Sequence, residues 1–369
     1  MSTEFLARQG AVEATGPDAG VAAHYGNPIA EQRRLAAGES VVDLSHRGVI
    51  SVTGADRLGW LDSFTSQAIA SLTPGVSAEA LLLNPNGRIE HVLKVLDDGV
   101  ATWLLVEAQE TEPLRAWLDS MRFMMRVEVA DRTADYATIG SFVAPTAPGA
   151  FSALWSAVAA PNGVALSWVD PWAAVAAGGH QYAQGDAHPY SDWTWRESLV
   201  DGAGLARIAE LPAAGTMALE ALRIAAWRPR FATEVDDRSI PHELDWLRSA
   251  VHLEKGCYRG QETVAKVHNL GHPPRRLVLL HLDGSDAVLP SEGDEVELEG
   301  EAVGRVTSVA RHFELGPIAL AVVKRMTDPT AVLMVAAGDT VVSAAQELIV
   351  PPGAGATADV PRLPRLGAR

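Results

Sequence analysis

The chain of 369 residues contains a single cysteine, Cys257. One thiol excludes an internal disulfide, a zinc site made of four of the chain's own cysteines, and an iron–sulfur cluster held only by those cysteines. Basic residues are also scarce, since 30 Lys and Arg stand against 46 Asp and Glu and give a formal net charge of −16. Because such a chain has little attraction for a polyanion, the composition predicts no direct binding of nucleic acid.

Several sequence signatures are missing as well. The chain has no Walker phosphate loop, no dinucleotide-binding glycine fingerprint and no nucleophile elbow, so nucleotide chemistry has no support. Residues 139–169 carry no charge, but Pro145, Pro148 and Pro161 divide them. The pieces are shorter than the roughly 20 apolar residues of a membrane helix. The first residues lack the basic and then apolar regions of a secretory signal. The sequence therefore predicts a cytoplasmic protein with no membrane contact.

The hydrophobic pattern predicts an α+β chain in four parts. Residues 1–23 show no period and predict a flexible arm. Residues 24–270 predict two interleaved α+β lobes, in which a hairpin with the turn Asn84-Pro85-Asn86-Gly87 belongs to a ferredoxin-like layer. Short strands separated by glycine in residues 271–350 predict an antiparallel β-barrel, and residues 351–369 predict a disordered tail.

Tryptophan is concentrated in one stretch of the chain. Five of the ten tryptophans lie within 41 residues: Trp155, Trp168, Trp172, Trp193 and Trp195. Stacking on a flat ligand is one interpretation, but large aromatic side chains mainly fill protein cores. The pattern therefore predicts core packing, with no binding role for these residues.

Cys257 stands in the run Lys255-Gly256-Cys257-Tyr258-Arg259-Gly260-Gln261-Glu262. Neighbouring cations stabilise a thiolate, which is the form that acts as a nucleophile or a metal ligand. A lone cysteine is also often a small buried hydrophobic residue, so the thiol alone decides neither role.

The octapeptide is similar to the signature Lys-Gly-Cys-Tyr/Phe-x-Gly-Gln-Glu of the YgfZ family, the folate-binding relatives of the glycine cleavage T protein. The segment Ile240-Pro241-His242-Glu243-Leu244 precedes it at the family's spacing. Segments 41–56, 81–95, 267–276 and 304–308 also resemble that family. The similarity covers about residues 24 to 345, and the octapeptide is its only highly selective part.

The resemblance implies three lobes around a central channel that holds tetrahydrofolate or a one-carbon derivative. It implies Cys257 as the working thiol and His91 as an acid or base, although His91 is equally well interpreted as a partly exposed strand histidine. No metal site is predicted. The residues implied to contact folate are Arg47, Asn84, Leu219, Glu243, Lys255 and Tyr258.

Two departures distinguish this sequence from the aminomethyltransferases of that superfamily. His91, followed by Val92, stands where those enzymes carry an acidic pair, and Ala225 stands where they carry a glutamate that holds the pterin ring. Neither valine nor alanine can accept a proton or a hydrogen bond. The sequence therefore predicts against aminomethyl transfer.

By resemblance, we expect a tetrahydrofolate-binding factor that supports assembly or repair of iron–sulfur clusters in client enzymes. The first alternative is a folate-dependent aminomethyltransferase or demethylase. The second is a factor for transfer-RNA modification, which would act through an iron–sulfur enzyme because the acidic chain has no basic stripe.

Overall fold

The computed structural model describes residues 4–145, 149–183, 188–285 and 288–358. Its α-helices are α1 Pro28–Ala36, α2 Arg57–Asp62, α3 Thr111–Ser120, α4 Ser152–Ala157, α5 Gly202–Ile208, α6 Thr216–Ala225, α7 Phe231–Glu234 and α8 Gln261–Leu270. Its strands are β1 Val12–Glu13, β2 Ala22–His24, β3 Val41–Asp43, β4 Gly48–Thr53, β5 Ser77–Leu83, β6 Ile89–Asp97, β7 Ala101–Val106, β8 Glu128–Asp131, β9 Ala137–Ser141, β10 Ser167–Val169, β11 Arg196–Val200, β12 Ala213–Ala214, β13 Arg275–Leu282, β14 Glu295–Leu298, β15 Glu301–His312, β16 Gly316–Lys324, β17 Leu333–Ala337 and β18 Thr340–Leu348. In the described part of the chain, no helix combines the length and apolar character needed to cross a bilayer.

The first lobe is an antiparallel sheet in the order β5-β6-β7-β4-β8, with α2 and α3 on one face. The predicted hairpin is confirmed as β5 and β6, whose register pairs Leu81 with Val92. The last strand begins at Glu128, whereas the pattern predicts a strand over residues 125–129. Phe123, with φ of 41°, interrupts an extended conformation and lies in an exposed turn before that strand.

The second lobe is a sheet in the order β10-β11-β9-β3-β12. Only β12 and β3 pair in parallel among these strands, and the other pairs are antiparallel. The uncharged segment 139–169 contributes most of β9 and all of α4 and β10. Trp168 and Trp172 are fully buried in the core.

The third lobe is the predicted antiparallel barrel, closed in the order β13-β16-β15-β14-β17-β18. Alternate residues of β13, such as Val278 and Leu280, point into the barrel core, while Leu277 and Leu279 pack toward the other lobes. Helix α6 contacts β15 as well as α1, so it lies where the lobes meet.

Residues 4–23 differ from the flexible arm predicted for residues 1–23, of which residues 1–3 lie outside the described part. Phe5 is fully buried with Val41 and Ile139, and Arg8 donates to the carbonyl of Leu211 at 2.8 Å. Strands β1 and β2 form a small hairpin against α6. A short segment without a hydrophobic period can therefore be ordered by single apolar anchors.

The described part of the predicted tail also packs on the fold. The backbone N–H of Thr357 donates to the carbonyl of His268 at 3.0 Å, at the end of α8. Residues 359–369, which belong to the same prediction of disorder, lie outside the described residues.

Candidate active site in the central cavity

A small cavity of about 60 Å³ lies between the two sheets, α6 and the segment that follows α6. Its apolar and aromatic walls are Val92, Val106, Trp193, Trp195, Leu219, Pro229, Phe231 and Trp246. Its charged walls are Glu79, Glu107, Glu110, Asp170, Glu197 and Glu220 opposite Arg47, Lys94, Arg223, Arg228 and Arg230.

The geometry of the strands and helices directs these side chains into the cavity. Val92 and Lys94 are two residues apart on β6, so both point to the same side of the sheet. Leu219, Glu220 and Arg223 lie on one face of α6 because residues three and four apart are neighbours on a helix. The cavity therefore collects residues that are far apart in the sequence.

Glu197 is the centre of the first charged cluster. It accepts hydrogen bonds from Lys94 Nζ at 2.6 and 2.7 Å and from Arg47 Nη1 at 2.6 Å. The indole N–H of Trp195 donates a further bond at 3.1 Å. Burial opposes ionisation of Glu197, but Lys94 and Arg47 outweigh it and lower the pKa of this carboxyl to about 2. Glu197 is therefore a fixed anion.

Arg228 is the centre of the second cluster. Its Nη2 and Nη1 donate to the Glu79 carboxylate at 2.6 and 3.2 Å, and its Nε donates to Asp170 at 3.0 Å. All three side chains are at most 6 % exposed. Ser249 and Trp193 also donate to these two carboxylates. This closely bonded network holds one end of the cavity in place.

Arg230 joins three carboxylates on the α6 side of the cavity. Its guanidinium donates to both oxygens of Asp18 at 2.6 and 3.0 Å, and to both oxygens of Glu107 at 2.8 Å. A longer contact of 3.3 Å reaches Glu220. Burial opposes ionisation of Glu107, but Arg230 and Arg47 outweigh it and hold its pKa well below the usual range.

Glu110 differs from the other carboxylates of the cavity. Among the described lining residues, it is the acidic side chain with no Arg or Lys within salt-bridge distance. It accepts the backbone N–H groups of Val92 at 3.0 Å and Glu107 at 3.1 Å, and it lies 3.2 Å from His91 Nδ1. Burial raises the pKa of Glu110, with His91 opposing that shift. A buried carboxyl with a raised pKa keeps its proton to a higher pH than an exposed glutamate does.

Two buried donors of the cavity lack a partner. Trp246 Nε1 and Arg47 Nε have no acceptor among the described residues, although both side chains are at most 5 % exposed. An unpaired buried donor costs free energy, so such groups are expected to meet water or a ligand. Together with the aromatic walls, they suit a flat ligand that carries hydrogen-bond acceptors.

Two of the eight residues that the sequence predicts for the site line this cavity, namely Arg47 and Leu219. His91 lies on the opposite side of β6 from Val92 and stacks on Phe231, with ring centroids 6.4 Å apart. It therefore reaches the cavity only through Glu110 and Phe231.

The octapeptide lies outside the cavity lining. Lys255 differs from its predicted role, because its Nζ donates to the carbonyls of Asp62, Thr65 and Gln67 at 2.7–2.9 Å. Its side chain is 4 % exposed. Burial lowers the pKa of Lys255, with Asp62 opposing. This ammonium fixes the loop before β5 and has no free donor for a ligand tail.

The other residues of the octapeptide are placed in different ways. Cys257 is exposed, and Tyr258 is buried against a separate surface depression with Val264 and His268. Arg259 donates to Glu90 at 2.6 Å. Gly260 has φ of 83°, and a Cβ there would lie 2.7 Å from the carbonyl oxygen of Asn84, so glycine is needed for this close approach.

Asn84 and Glu243 also lie outside the cavity lining, and both form hydrogen bonds that stabilise the fold. Asn84 Oδ1 accepts the backbone N–H groups of Asn86 and Arg88, which stabilises the hairpin turn. Glu243 accepts from Arg275 at 2.8 and 3.0 Å, which ties the segment before the octapeptide to β13.

Val92 and Ala225, where the aminomethyltransferases carry acidic residues, lie in different places. Val92 does face the cavity, and Ala225 instead lines an outer groove beside Phe142 and Phe313. Yet Glu110, which sequence reasoning missed, brings a carboxylate next to the backbone of Val92. The cavity therefore keeps a titratable carboxylate despite the loss of acidic groups at two sequence positions, and the two departures do not exclude aminomethyl transfer.

Comparison with known proteins shows which family this chain belongs to. Residues 275–349 match the glycine cleavage T-protein C-terminal barrel domain. The aminomethyltransferase of Geobacillus kaustophilus is 31% identical over 283 residues, which cover 72% of this chain and 73% of that protein. The chain belongs to the aminomethyltransferase (T-protein) family. A second family member, the aminomethyltransferase of Symbiobacterium thermophilum, is 27% identical over 302 residues, which cover 77% of this chain and 78% of that protein.

A solved T-protein structure has the same fold. The crystal structure of glycine cleavage system aminomethyltransferase T from Bartonella henselae aligns with a TM-score of 0.72, over 95% of this chain and 96% of that one. The sequence identity is 16%, so the likeness describes the fold. The predicted three-lobed α+β fold with a C-terminal barrel is confirmed.

Proposed function

We propose that the chain binds tetrahydrofolate, or a one-carbon derivative of it, in the central cavity. The observation that carries this proposal is the pair of unpartnered buried donors, Trp246 Nε1 and Arg47 Nε, inside aromatic walls. A pterin ring is flat, apolar on its faces and rich in acceptors at its edge, which suits that combination. Relatives named aminomethyltransferase that align over most of their length support the same ligand class.

The reaction that the cavity supports best is one-carbon transfer of the aminomethyltransferase type. Tetrahydrofolate would accept the one-carbon unit of an aminomethyl donor, the amine would leave, and Glu110 would hold or move the proton at Oε1 or Oε2. His91 is a positioning residue, because its Nδ1 lies 3.2 Å from Glu110 and its ring does not line the cavity. The fixed ion pairs of Glu197 and Arg228 orient the ligand and exclude water from the surrounding wall.

Glu110→Gln gives the direct test of this function. The protonated carboxyl donates to the ligand, so wild-type affinity for tetrahydrofolate falls by up to about tenfold per pH unit above the raised pKa of Glu110. The amide of the variant does not titrate, so residue 110 gives its affinity for tetrahydrofolate no pH dependence. Titrations followed by tryptophan fluorescence between pH 5 and 9 measure both curves.

Glu112→Gln is the matched control for that titration. Glu112 is two residues away and 71 % exposed, so its removal leaves the wild-type pH dependence in place. Parallel curves for wild type and Glu110→Gln would assign the pH dependence to the ligand itself. No saturable response in the wild type would remove the folate proposal altogether.

A second candidate function rests on the exposed thiol. Cys257 is accessible, and its octapeptide resembles the YgfZ branch, which supports a role in assembly or repair of iron–sulfur clusters in client enzymes. One thiolate cannot hold a cluster alone, so the partner would supply the other ligands. Any effect on transfer-RNA modification would run through such a client.

Cys257→Ser separates the two candidates. If the thiol serves clusters, cells that carry the variant lose client iron–sulfur activity to the level of a gene deletion. The purified Cys257→Ser protein still binds tetrahydrofolate with an affinity within about twofold of wild type, because Cys257 does not line the cavity. Full client activity in the variant cells would reject the thiol role.

A further inference from the structure

A depression of about 430 Å³, here called the basic depression, lies between the barrel and the segment that follows α7. Cations outnumber carboxylates two to one among its charged lining residues, which are Arg238, Arg275, Arg305, Lys324, Asp236 and Asp237. The chain as a whole carries a formal net charge of −16. The basic depression therefore has the opposite sign to the chain, and it shares no lining residue with the central cavity.

Two of its cations are balanced by carboxylates of the fold. Asp236 accepts from Arg275 at 2.7 and 3.0 Å and from Arg305 at 2.8 Å, and Arg275 also binds Glu243. Burial opposes ionisation of Asp236, but hydrogen bonds from Arg275 and Ser239 outweigh it and hold its pKa well below the usual range. Asp236 is therefore a fixed anion that serves these two arginines.

Arg238 and Lys324 keep free donors. The Arg238 side chain is 75 % exposed, and its contact with the exposed carboxylate of Asp237 is as long as 3.9 Å. Lys324 Nζ donates to the carbonyl of Ala302 at 2.7 Å, which leaves two of the three ammonium donors unused. Arg88 adds an exposed guanidinium, whose Nη1 donates to the carbonyl of Asp237 at 3.2 Å. These three cations can bind carboxylates from outside the chain.

The floor of the basic depression is apolar and flat. Val303 lies on β15 and Val322 lies on β16, and both line the depression. Gly304 lies between them, and a Cβ there would collide with the carbonyl oxygen of Val322, so no side chain fills the space at this position. A cationic rim around an apolar floor suits an extended segment that carries both carboxylates and apolar side chains.

The hairpin turn between β5 and β6 connects the basic depression with the octapeptide. On one side of the turn, a Cβ at Gly260 would lie 2.7 Å from the carbonyl oxygen of Asn84. On the other side, Arg88 is bonded to Asp237, which lines the depression. The exposed thiol of Cys257 and the basic depression therefore flank the same turn.

We infer that the basic depression is the docking site for an acidic segment of a protein partner, and that the docked partner lies beside Cys257. The inference goes beyond both proposed functions, since it assigns a surface and the charge of what binds there. Charge complementarity carries it, because carboxylates of the partner would meet Arg88, Arg238 and Lys324. A nucleic acid carries charge along its whole length and would extend onto the acidic remainder of the surface, whereas a short acidic segment would not.

Arg238→Glu and Lys324→Glu test the docking site with a fluorescein-labelled oligoglutamate peptide of about ten residues, roughly 33 Å long when extended. Each variant replaces attraction at the rim by repulsion, so each weakens binding of the peptide about tenfold at about 50 mM salt. About 500 mM salt abolishes binding by wild type, because exposed charges are then screened within a few ångströms. Fluorescence anisotropy measures the dissociation constants.

Arg207→Glu is the matched control for these reversals. Arg207 is exposed on α5, and its Nη2 makes a long contact of 3.4 Å with the carbonyl of Ser156. The variant changes the net charge of the chain as much as Arg238→Glu does, yet it binds the peptide within about twofold of wild type. Arg238→Lys keeps a cation at the rim and binds the peptide as wild type does.

The single thiol of the chain gives a second measurement. A bromoacetyl group at the end of the same peptide alkylates Cys257, because the thiolate displaces bromide and forms a thioether. Docking raises the local concentration of the reagent, so wild type reacts about tenfold faster than Arg238→Glu. Iodoacetamide has no acidic segment and labels both proteins at the same rate. Whole-protein mass spectrometry gives the rates, since the chain has one cysteine to label.

Each other outcome counts against the inference. No binding of the peptide by wild type, or equal weakening by Arg207→Glu, overturns the docking site. A duplex RNA of about 20 base pairs that binds more tightly than the peptide, and fails to bind Arg238→Glu, overturns the protein partner. Peptide binding without faster alkylation overturns the placement beside Cys257. Failure of folate binding or of the thiol role leaves these results standing, because neither measurement uses folate or a client enzyme.

Discussion

Arg228→Ala is expected to lower the free energy of unfolding by about 3–5 kcal/mol, because it leaves two buried carboxylates without their cation. Glu79 is 1 % exposed and Asp170 is 5 % exposed, so water cannot replace the lost guanidinium. Ser249, Trp193 and the backbone of Trp172 still donate to them, but neutral donors do not balance two negative charges. Urea unfolding followed by tryptophan fluorescence measures the change.

The surface offers a matched control for Arg228→Ala. Arg126 also binds one carboxylate through two guanidinium nitrogens, to Asp56 at 2.6 and 3.0 Å, but it is 76 % exposed. Arg126→Ala is expected to leave the urea midpoint unchanged, since exposed ion pairs contribute little. Equal midpoints for the two variants would mean that water reaches the ion pairs of Arg228, and would contradict a closed cavity wall.

Local sequence patterns predicted the elements of this fold well. The turn at Asn84 and Gly87 and the short strands of the barrel separated by glycine each depend on residues within a few positions of one another. Such signals lie within one helix, strand or turn, so a single sequence is enough to recognise them. The strand predicted over residues 125–129 begins three residues later, at Glu128, because Met125 closes a turn in which its N–H donates to the carbonyl of Arg122.

The site was harder to predict because its chemistry is non-local. Arg47 and Leu219 were found by resemblance, but Glu110 comes from a 3-10 turn after β7 and acquires meaning only beside Val92 and His91. No spacing rule pairs Asp18 with a residue 212 positions away. The Glu107-x-x-Glu110 capping box was the available local signal, and it indicates a helix start without indicating a cavity.

For the octapeptide, the sequence suggested a binding role that the structure does not support. A selective motif led to the expectation that Lys255 contacts the ligand, yet the contacts of Lys255 are backbone carbonyls near residue 65. A lysine in such a motif can stabilise the fold through hydrogen bonds to distant backbone carbonyls. No sequence pattern reveals these contacts. Similarity of the motif therefore led to the wider T-protein family but not to the contacts of Lys255.

Leu219→Trp is expected to abolish binding of tetrahydrofolate, because Leu219 lines the cavity and the larger indole fills the space of the ligand. The expected loss is more than about 100-fold in affinity, or about 3 kcal/mol. Leu222→Trp makes the same change one turn later on α6, at a leucine of similar burial that lines the outer groove beside Ala225. That control is expected to bind within about threefold of wild type.

The most direct measurement of the central claim is the calorimetric titration of tetrahydrofolate into wild type, Leu219→Trp and Leu222→Trp. Binding by wild type and Leu222→Trp with none by Leu219→Trp agrees with a folate site in the central cavity. Undiminished binding by a folded Leu219→Trp protein would place the ligand elsewhere and contradict that site.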